Sequence, residues 1–232
     1  EQAERLYRSL FDSVSHELKT PLTTIQGAAS VLSDPQASST PECVRELSAQ
    51  VGHETDRMLG LVNNMLDMTR LESGAVKAKI SLCDVADVIG PALARAKELK
   101  TDRILSTKIE TGVRSLYCDS ALLVQALLNI IKNALVYTRP QGHIVIRARN
   151  FGENKIEIAI EDDGPGLPQP NPNVVFDRFY RENPRTSGGV GLGLSIARGF
   201  VEAQGGKLEA SNRAEGGARF TLWLPSGQKD SE

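Results

Sequence analysis

Apolar residues in the first part of the chain recur at alternating spacings of four and three. Tyr7, Phe11, Val14, Leu18, Ile25 and Leu32 follow this rule, the a/d seam of a coiled coil or bundle helix. With Phe11, Leu18, Ile25 and Leu32 at a and Tyr7 and Val14 at d, His16 falls at f, furthest from the seam. The pattern predicts a helix over Gln2–Leu32 with His16 exposed and next to a carboxylate, Glu17. Pro21 takes the next d position and cannot donate to the Glu17 carbonyl, so a kink is expected one turn past His16. The stretch from Ser33 to Pro41 reads as a turn, and a second helix runs to about Leu71. Its face carries Val44, Leu47, Val51, Met58, Leu61, Met65 and Met68, with a second stripe of Leu59, Val62 and Leu66 beside it. A doubled stripe is wider than a two-helix seam needs, so two hairpins are expected to pair into a dimeric four-helix bundle. The alternative is a hairpin that packs on the downstream part of its own chain.

Beyond Ser73-Gly74 the pattern becomes mixed. Asp84–Leu99 reads as helix, Ile104–Ile109 and Leu116–Cys118 as strands, and Asp119 as the N-cap of a long helix through Tyr137. His143–Arg149 and Lys155–Ile160 alternate like neighbouring strands with Gly152 in the turn. A Gly- and Pro-rich stretch, 163–193, precedes a helix over Leu194–Gln204 and two closing strands, Lys207–Ser211 and Arg219–Leu224. The order lacks strict βα alternation, which predicts one mixed sheet with helices on one face. The expected layout is an α + α/β sandwich: a helical hairpin over residues 1–72, a linker over 73–79, an α+β domain over 80–228 and a disordered tail over 229–232.

Composition narrows the classes. A 40% apolar and 24% charged chain of 232 residues is ordinary globular protein. A formal net charge of −2 without a basic block argues against nucleic acid as a partner. No apolar run reads as membrane-spanning, and no signal peptide is recognisable. Because residue 1 is Glu in mid-helix, an upstream sensor or membrane region is expected in the full-length protein, with this part cytoplasmic. Cys43, Cys83 and Cys118 lack metal spacing and read as reduced thiols.

Three features of the second domain point to phosphate and purine chemistry. Asn129 and Asn133 are one turn apart on the long helix and share a face, where paired amides can serve a hard cation and phosphates. Asp162-Asp163-Gly164-Pro165-Gly166 ends a strand, and a buried acceptor such as Asp162 could take a hydrogen bond from an exocyclic amine, favouring adenine over guanine. Gly188-Gly189-Val190-Gly191-Leu192-Gly193-Leu194 opens a helix and would expose N–H groups to an anion. Each has a plain alternative: surface amides, an acidic turn and a flexible linker. The glycine run precedes a helix without following a strand, so neither the Rossmann fingerprint nor the P-loop fits.

Taken in order, the stretches FDSVSHELKTPLTTI, LLNIIKNALVYT, EDDGPGLP, VFDRFYR and GVGLGLSIARGFVEAQGG resemble the histidine, asparagine, first glycine, phenylalanine and second glycine boxes of bacterial two-component sensor histidine kinases. DMTRLESGAVK, FYR and SIARGFVEAQGG are similar to the potassium-responsive Kdp-type subfamily. The resemblance implies a dimerisation and phosphotransfer hairpin followed by a Bergerat-type ATP-binding domain. It makes His16 the phosphorylated nucleophile, Glu17 its assisting base, and Thr20 the residue that positions water for removing phosphate from a response regulator. It gives Asn129 to Mg²⁺, Asn133 to the phosphates, Tyr137 to the adenine face and Asp162 to the adenine amine. Gly164, Gly166, Gly189, Gly191 and Gly193 would frame the pocket and its lid, with Arg181, and Arg178 as a second candidate, reaching the γ-phosphate. The implied cofactors are ATP and Mg²⁺. The implied partners are a second copy of the chain and a response regulator receiver domain.

Two departures stand out. Val136 occupies the place before the adenine-stacking aromatic where the family has Lys or Arg, leaving Lys132 or an arginine as substitute, and the lid over Glu182–Gly188 is short. They are the support for a pseudokinase scaffold. A serine kinase or ATPase of the same nucleotide fold is the other alternative, and the HELKTP box speaks against it. His53 is expected on the surface, His143 at a strand start and Trp223 in the core.

Overall fold

The computed structural model describes residues 2–34, 40–99, 102–182 and 190–227, with only the backbone described for 2–13 and 16. The chain divides into two compact units: residues 1–68 with 188–190, and residues 69–187 with 191–232.

The first unit contains α1 (Gln2–Leu32) and most of α2 (Pro41–Glu72). Pro21 lies inside α1, which stays helical across it. The seam is legible in burial: Val14, Pro21 and Ala28 are buried on α1, and Leu61 and Met68 on α2. The second stripe is open within the single chain, with Leu59 56%, Val62 43% and Leu66 51% exposed. At the end of α2, Gly74 takes φ +64° and Ala75 N–H donates back to the Arg70 carbonyl, so the helix closes on a residue without a Cβ.

In the second unit the elements are β1 (Ser81–Cys83), α3 (Val85–Lys97), β2 (Ile104–Ile109), β3 (Ser115–Cys118), α4 (Ser120–Tyr137), β4 (His143–Phe151), β5 (Lys155–Asp162), α5 (Gly193–Glu202), β6 (Lys207–Asn212) and β7 (Ala218–Gly227). A 3-10 turn over Pro172–Phe176 interrupts the Gly- and Pro-rich stretch. The sheet order is β1-β3-β7-β5-β4-β2, with β6 on β7; among the described residues only β2 and β4 run parallel. Asp119 caps α4, its Oδ1 accepting from the N–H of Ala121 and Leu122 at 3.1 and 3.2 Å. The three-residue β1 carries too little pattern for sequence reading to find. α4 has the length and mean hydropathy, 1.4, of a membrane span, against the sequence expectation that none does. Here it is the middle helix, packed between α3 and α5 and against β4 and β5.

Register sorts the strand residues onto two faces. Ile156, Ile158 and Ile160 of β5 face the helices, opposite Leu224, Leu222 and Phe220 of β7. The intervening residues face away. There Glu157 accepts from Arg149 at 2.9 and 3.0 Å and from Arg219 at 2.8 Å, and Glu161 pairs with Arg147 at 2.9 Å and Arg219 at 3.2 Å. Trp223 belongs to this outer row, opposite Glu157 and 6.1 Å from Phe151. The expectation of a core tryptophan is corrected: in Leu222-Trp223-Leu224 the two leucines take the inner face, and period-two alternation turns the indole outward.

Burial raises the pKa of Glu157, but the hydrogen bonds and charges of Arg149 and Arg219 outweigh it and hold the carboxyl below its ordinary 4.5. Its stabilisation is therefore present above pH 4.5 and lost as pH falls through the lowered folded value. Glu157→Gln is expected to destabilise the second unit by about 1–3 kcal/mol at pH 7. It should also flatten the acid loss of stability, as read by fluorescence of Trp223, the single tryptophan. An unchanged acid limb would count against this pairing.

Candidate functional site

Asp162 is the next inward-facing residue of β5 after Ile160, paired with Ile144 of β4, so a carboxylate occupies a core position at 3% exposure. Burial pushes its pKa above the ordinary 3.8, and the neighbouring Asp163 adds to the rise. The backbone N–H groups of Gly164, at 2.9 Å, and Ala218, at 3.3 Å, donate to Oδ1 and oppose it, as does the charge of Arg213.

Around this carboxylate the fold gathers residues from five distant stretches. Asn133 and Tyr137 of α4, Asp162, Gly166, Tyr180 and Leu194 line one small cavity of about 50 Å³. Leu167, Val175, Glu182 and Ala218 complete it. Tyr180 sits in the VFDRFYR stretch, whose signal pointed to its arginines; burial pushes its phenol up, with Glu182 and Tyr137 adding. Ala218 is beyond sequence reading, because it reaches the site only through the pairing of β7 with β5.

Other expected residues lie outside that cavity's lining. Asn129 is one turn before Asn133, and its buried Nδ2 has no hydrogen-bond partner among the described residues. A buried amide left unmatched costs free energy that a ligand would recover. With Oδ1 as a hard-cation donor, Asn129 fits a Mg²⁺–phosphate group. Lys132 is exposed on α4. Arg178 is exposed and ion-paired with Glu72 in the last turn of α2, and Arg181 is half-buried.

The glycines differ in what they permit. Gly166 takes φ +91°, and a Cβ there would meet Asn212 Oδ1 at 2.7 Å. Gly191 takes φ +75°, and its Cβ would meet the Tyr180 carbonyl at 2.7 Å. Phe179 N–H donates to the Gly191 carbonyl at 3.0 Å and holds a left-handed φ of +64°, uncommon for a bulky residue. Gly164 lies against the Asp162 carboxylate, whereas a Cβ on Gly193 would meet nothing within 4 Å. Gly193 instead opens α5, whose N-cap Leu192 makes no side-chain cap hydrogen bond, and the first N–H groups of a helix left so suit an anion. Gly189 and the lid residues 183–188 lie outside the described residues.

In the first unit, the side chain of His16 lies outside the description. Glu17 is buried at g of the heptad, and its Oε2 accepts from Arg57 Nη2 of α2 at 3.0 Å. Thr20, one turn from His16, is exposed. A wider cavity, about 930 Å³, lies elsewhere, on the outer face of the sheet. Its buried carboxylates, Glu157 and Glu161, are already matched by arginines, so size alone does not make it the site.

Comparison with known proteins matches two family models along the chain. Residues 7–74 match the His Kinase A (phospho-acceptor) domain, and residues 118–228 match the histidine kinase-, DNA gyrase B- and HSP90-like ATPase family. The chain is 35% identical over 225 residues to sensor protein KdpD of Escherichia coli K12, covering 97% of this chain and 25% of that protein. It is 33% identical over 234 residues to the signal transduction histidine-protein kinase/phosphatase MprB of Mycolicibacterium paratuberculosis, covering 97% and 44%. The chain thus spans about a quarter of the length of its KdpD relative. A solved structure of histidine kinase ThkA with response regulator protein TrrA has the same fold, with a TM-score of 0.71, 22% identity, and 98% and 64% of the two chains covered.

The raised pKa of Asp162 has a sign: folding favours its protonated form, so that contribution is present below 3.8 and lost as pH rises through the folded value. At neutral pH the carboxylate is a liability to stability. Asp162→Asn keeps the acceptor for Gly164 and Ala218 without the buried charge. It should leave the melting temperature at pH 7 unchanged or higher, and a fall of several degrees would show that the charge itself holds the fold.

Proposed function

This chain belongs to the sensor histidine kinases, and on that premise we propose that it phosphorylates its own His16 from ATP and passes the group to an aspartate of a response regulator. Residues 1–72 serve as dimerisation and phosphotransfer hairpin, 73–79 as linker and 80–228 as ATP-binding domain, working in the cytoplasm; the tail 229–232 lies outside the described residues. The observation that carries the reading is the convergence of Asn133, Tyr137, Asp162 and Gly166 on one cavity in a chain that also bears a phospho-acceptor helix.

Each group has a task its chemistry suits. The Asp162 carboxylate accepts from the adenine amine, a donor that guanine lacks at that place. Tyr137 lies against the base, and Asn133 with the open start of α5 holds phosphate oxygens. Asn129 would hold Mg²⁺, which when bound would supply charge neutralisation for phosphoryl transfer. Arg181, with Lys132 on the exposed side of α4, brings positive charge where Val136 does not. Arg178 is held by Glu72 and is free for phosphate only when that pair opens.

At the acceptor, the neutral form of the imidazole carries the lone pair that attacks phosphorus. A nitrogen–phosphorus bond forms on His16 as the bond between the γ-phosphorus and the β–γ bridging oxygen breaks, and ADP departs. The proton on the other ring nitrogen passes toward Glu17, which Arg57 holds in place. In the second step the regulator's aspartate oxygen takes the phosphoryl group and the imidazole leaves. Thr20 serves the reverse task, placing water for hydrolysis of the aspartyl phosphate. The exposed stripe of Leu59, Val62 and Leu66 supports a homodimer, because a second hairpin would cover it.

Incubation with Mg-ATP should give alkali-stable, acid-labile phosphate on the chain, and His16→Ala should abolish it while ATP still binds. Label that survives acid, or survives the substitution, would sink the kinase reading; ATP binding without any label would favour the scaffold. Thr20→Ala should slow dephosphorylation of the regulator and leave autophosphorylation largely intact.

A further inference from the structure

The hairpin between β6 and β7 lies outside every recognised box and far in sequence from Asp162, yet it grips the base-reading stretch at three points. Arg213 Nη1 donates to the Asp162 carbonyl at 2.8 Å. Asn212 holds Leu167 from both sides: its Oδ1 accepts from Leu167 N–H at 2.6 Å and its Nδ2 donates to the Leu167 carbonyl at 3.0 Å. Ala218 N–H, the first of β7, donates to Asp162 Oδ1. The turn itself is shaped to come this close. Arg213 N–H donates to the Gly217 carbonyl at 3.0 Å and Gly216 N–H to the Arg213 carbonyl at 3.2 Å. Gly217 has φ +88°, and a Cβ there would lie 2.0 Å from the Asp162 carbonyl oxygen, so only glycine admits the contact.

Resting on the proposed reading of Asp162 as the adenine acceptor, we propose that Arg213 is a positioning residue for base selection. It fixes the Asp162 backbone so that Oδ1 is spent on the two N–H donors and Oδ2 is left, in one orientation, for the amine of the base. Asn212 does the same for the opposite wall by pinning Leu167. The physical reason is a mismatch of demands. A carboxylate at the end of a core row tends to turn toward water, and one extra donor on its own carbonyl denies it that freedom. The arginine also brings a cation near a group that burial works to neutralise. The other charged and titratable groups nearby are Glu215, whose Oε2 lies 3.9 Å from Arg213 Nη2, Asp163, the Arg139 that pairs with it at 3.8 Å, and Tyr137, Tyr180 and Glu182 of the cavity.

The test compares Mg-ATP and Mg-GTP binding by titration calorimetry in the wild-type chain, Arg213→Met and Arg213→Lys. Arg213→Met should weaken ATP binding about tenfold, the size of one hydrogen bond involving a charged group, and leave GTP binding nearly unchanged. The ATP:GTP preference then shrinks by that factor, and Arg213→Lys should restore most of it. The acid limb of ATP binding should move to higher pH in Arg213→Met and return in Arg213→Lys. Equal loss of ATP and GTP together with a lower melting temperature would overturn the proposal, since that is what a merely structural residue does. An unchanged preference and an unmoved acid limb would overturn it as well. A wild-type chain that binds neither nucleotide would bring down the ATP-site reading itself, a distinct failure.

Discussion

The second unit is organised around a carboxylate in a place reserved for an aliphatic side chain. Ile156, Ile158, Ile160 and Asp162 form one row facing the helices, and only the last is charged. Solvation lost there must be replaced by fixed donors. The Gly164 and Ala218 amides supply them, one from the turn after β5 and one from the first residue of β7. That requirement ties together the order β7-β5-β4, the close turn at Gly217 and the glycine after Asp163. A stability liability is maintained at the point where a polar base would have to be read, a common pattern at functional sites.

The same sheet has helices on one face only, so its outer row must be sealed without a second layer. Glu157 and Glu161 are nearly buried there, yet each is bridged by two arginines whose aliphatic stems cover the strands while their heads remain part-exposed. Phe151 and Trp223 close one end of the same face. This lattice explains why Glu157 and Glu161 line a large cavity as matched carboxylates: the arginines beside them neutralise them.

In the first unit burial alone leaves the arrangement unfinished. The seam residues Val14, Ala28, Leu61 and Met68 are covered within one chain, whereas Leu59, Val62 and Leu66 are not. Glu17 shows how the seam reaches the chemistry. It flanks the apolar row at g, where coiled coils place interhelical ion pairs, and Arg57 of α2 anchors it there. A residue expected to assist its neighbour is thereby set in position by the partner helix.

Helix bounds were legible because periodicity and caps are local: Gln2–Leu32, the Asp119 cap and the end at Tyr137 all follow from residues within a turn or two of one another. The boxes around Asn133, Asp162 and Gly191 were legible for a similar reason, since glycine and paired amides announce themselves along the chain. Trp223 was misplaced because hydrophobicity was weighed without its alternation with Leu222 and Leu224, and β1 escaped because three residues carry no period. What the sequence determined by itself was the set of elements and the residue types able to meet a nucleotide and a phosphoryl group. Only the tertiary structure decided that Asn212 and Arg213 hold Leu167 and Asp162, across separations of 45 and 51 residues. Such contacts depend on strand order and register, which are set by packing of the whole sheet and leave no periodic trace in the chain.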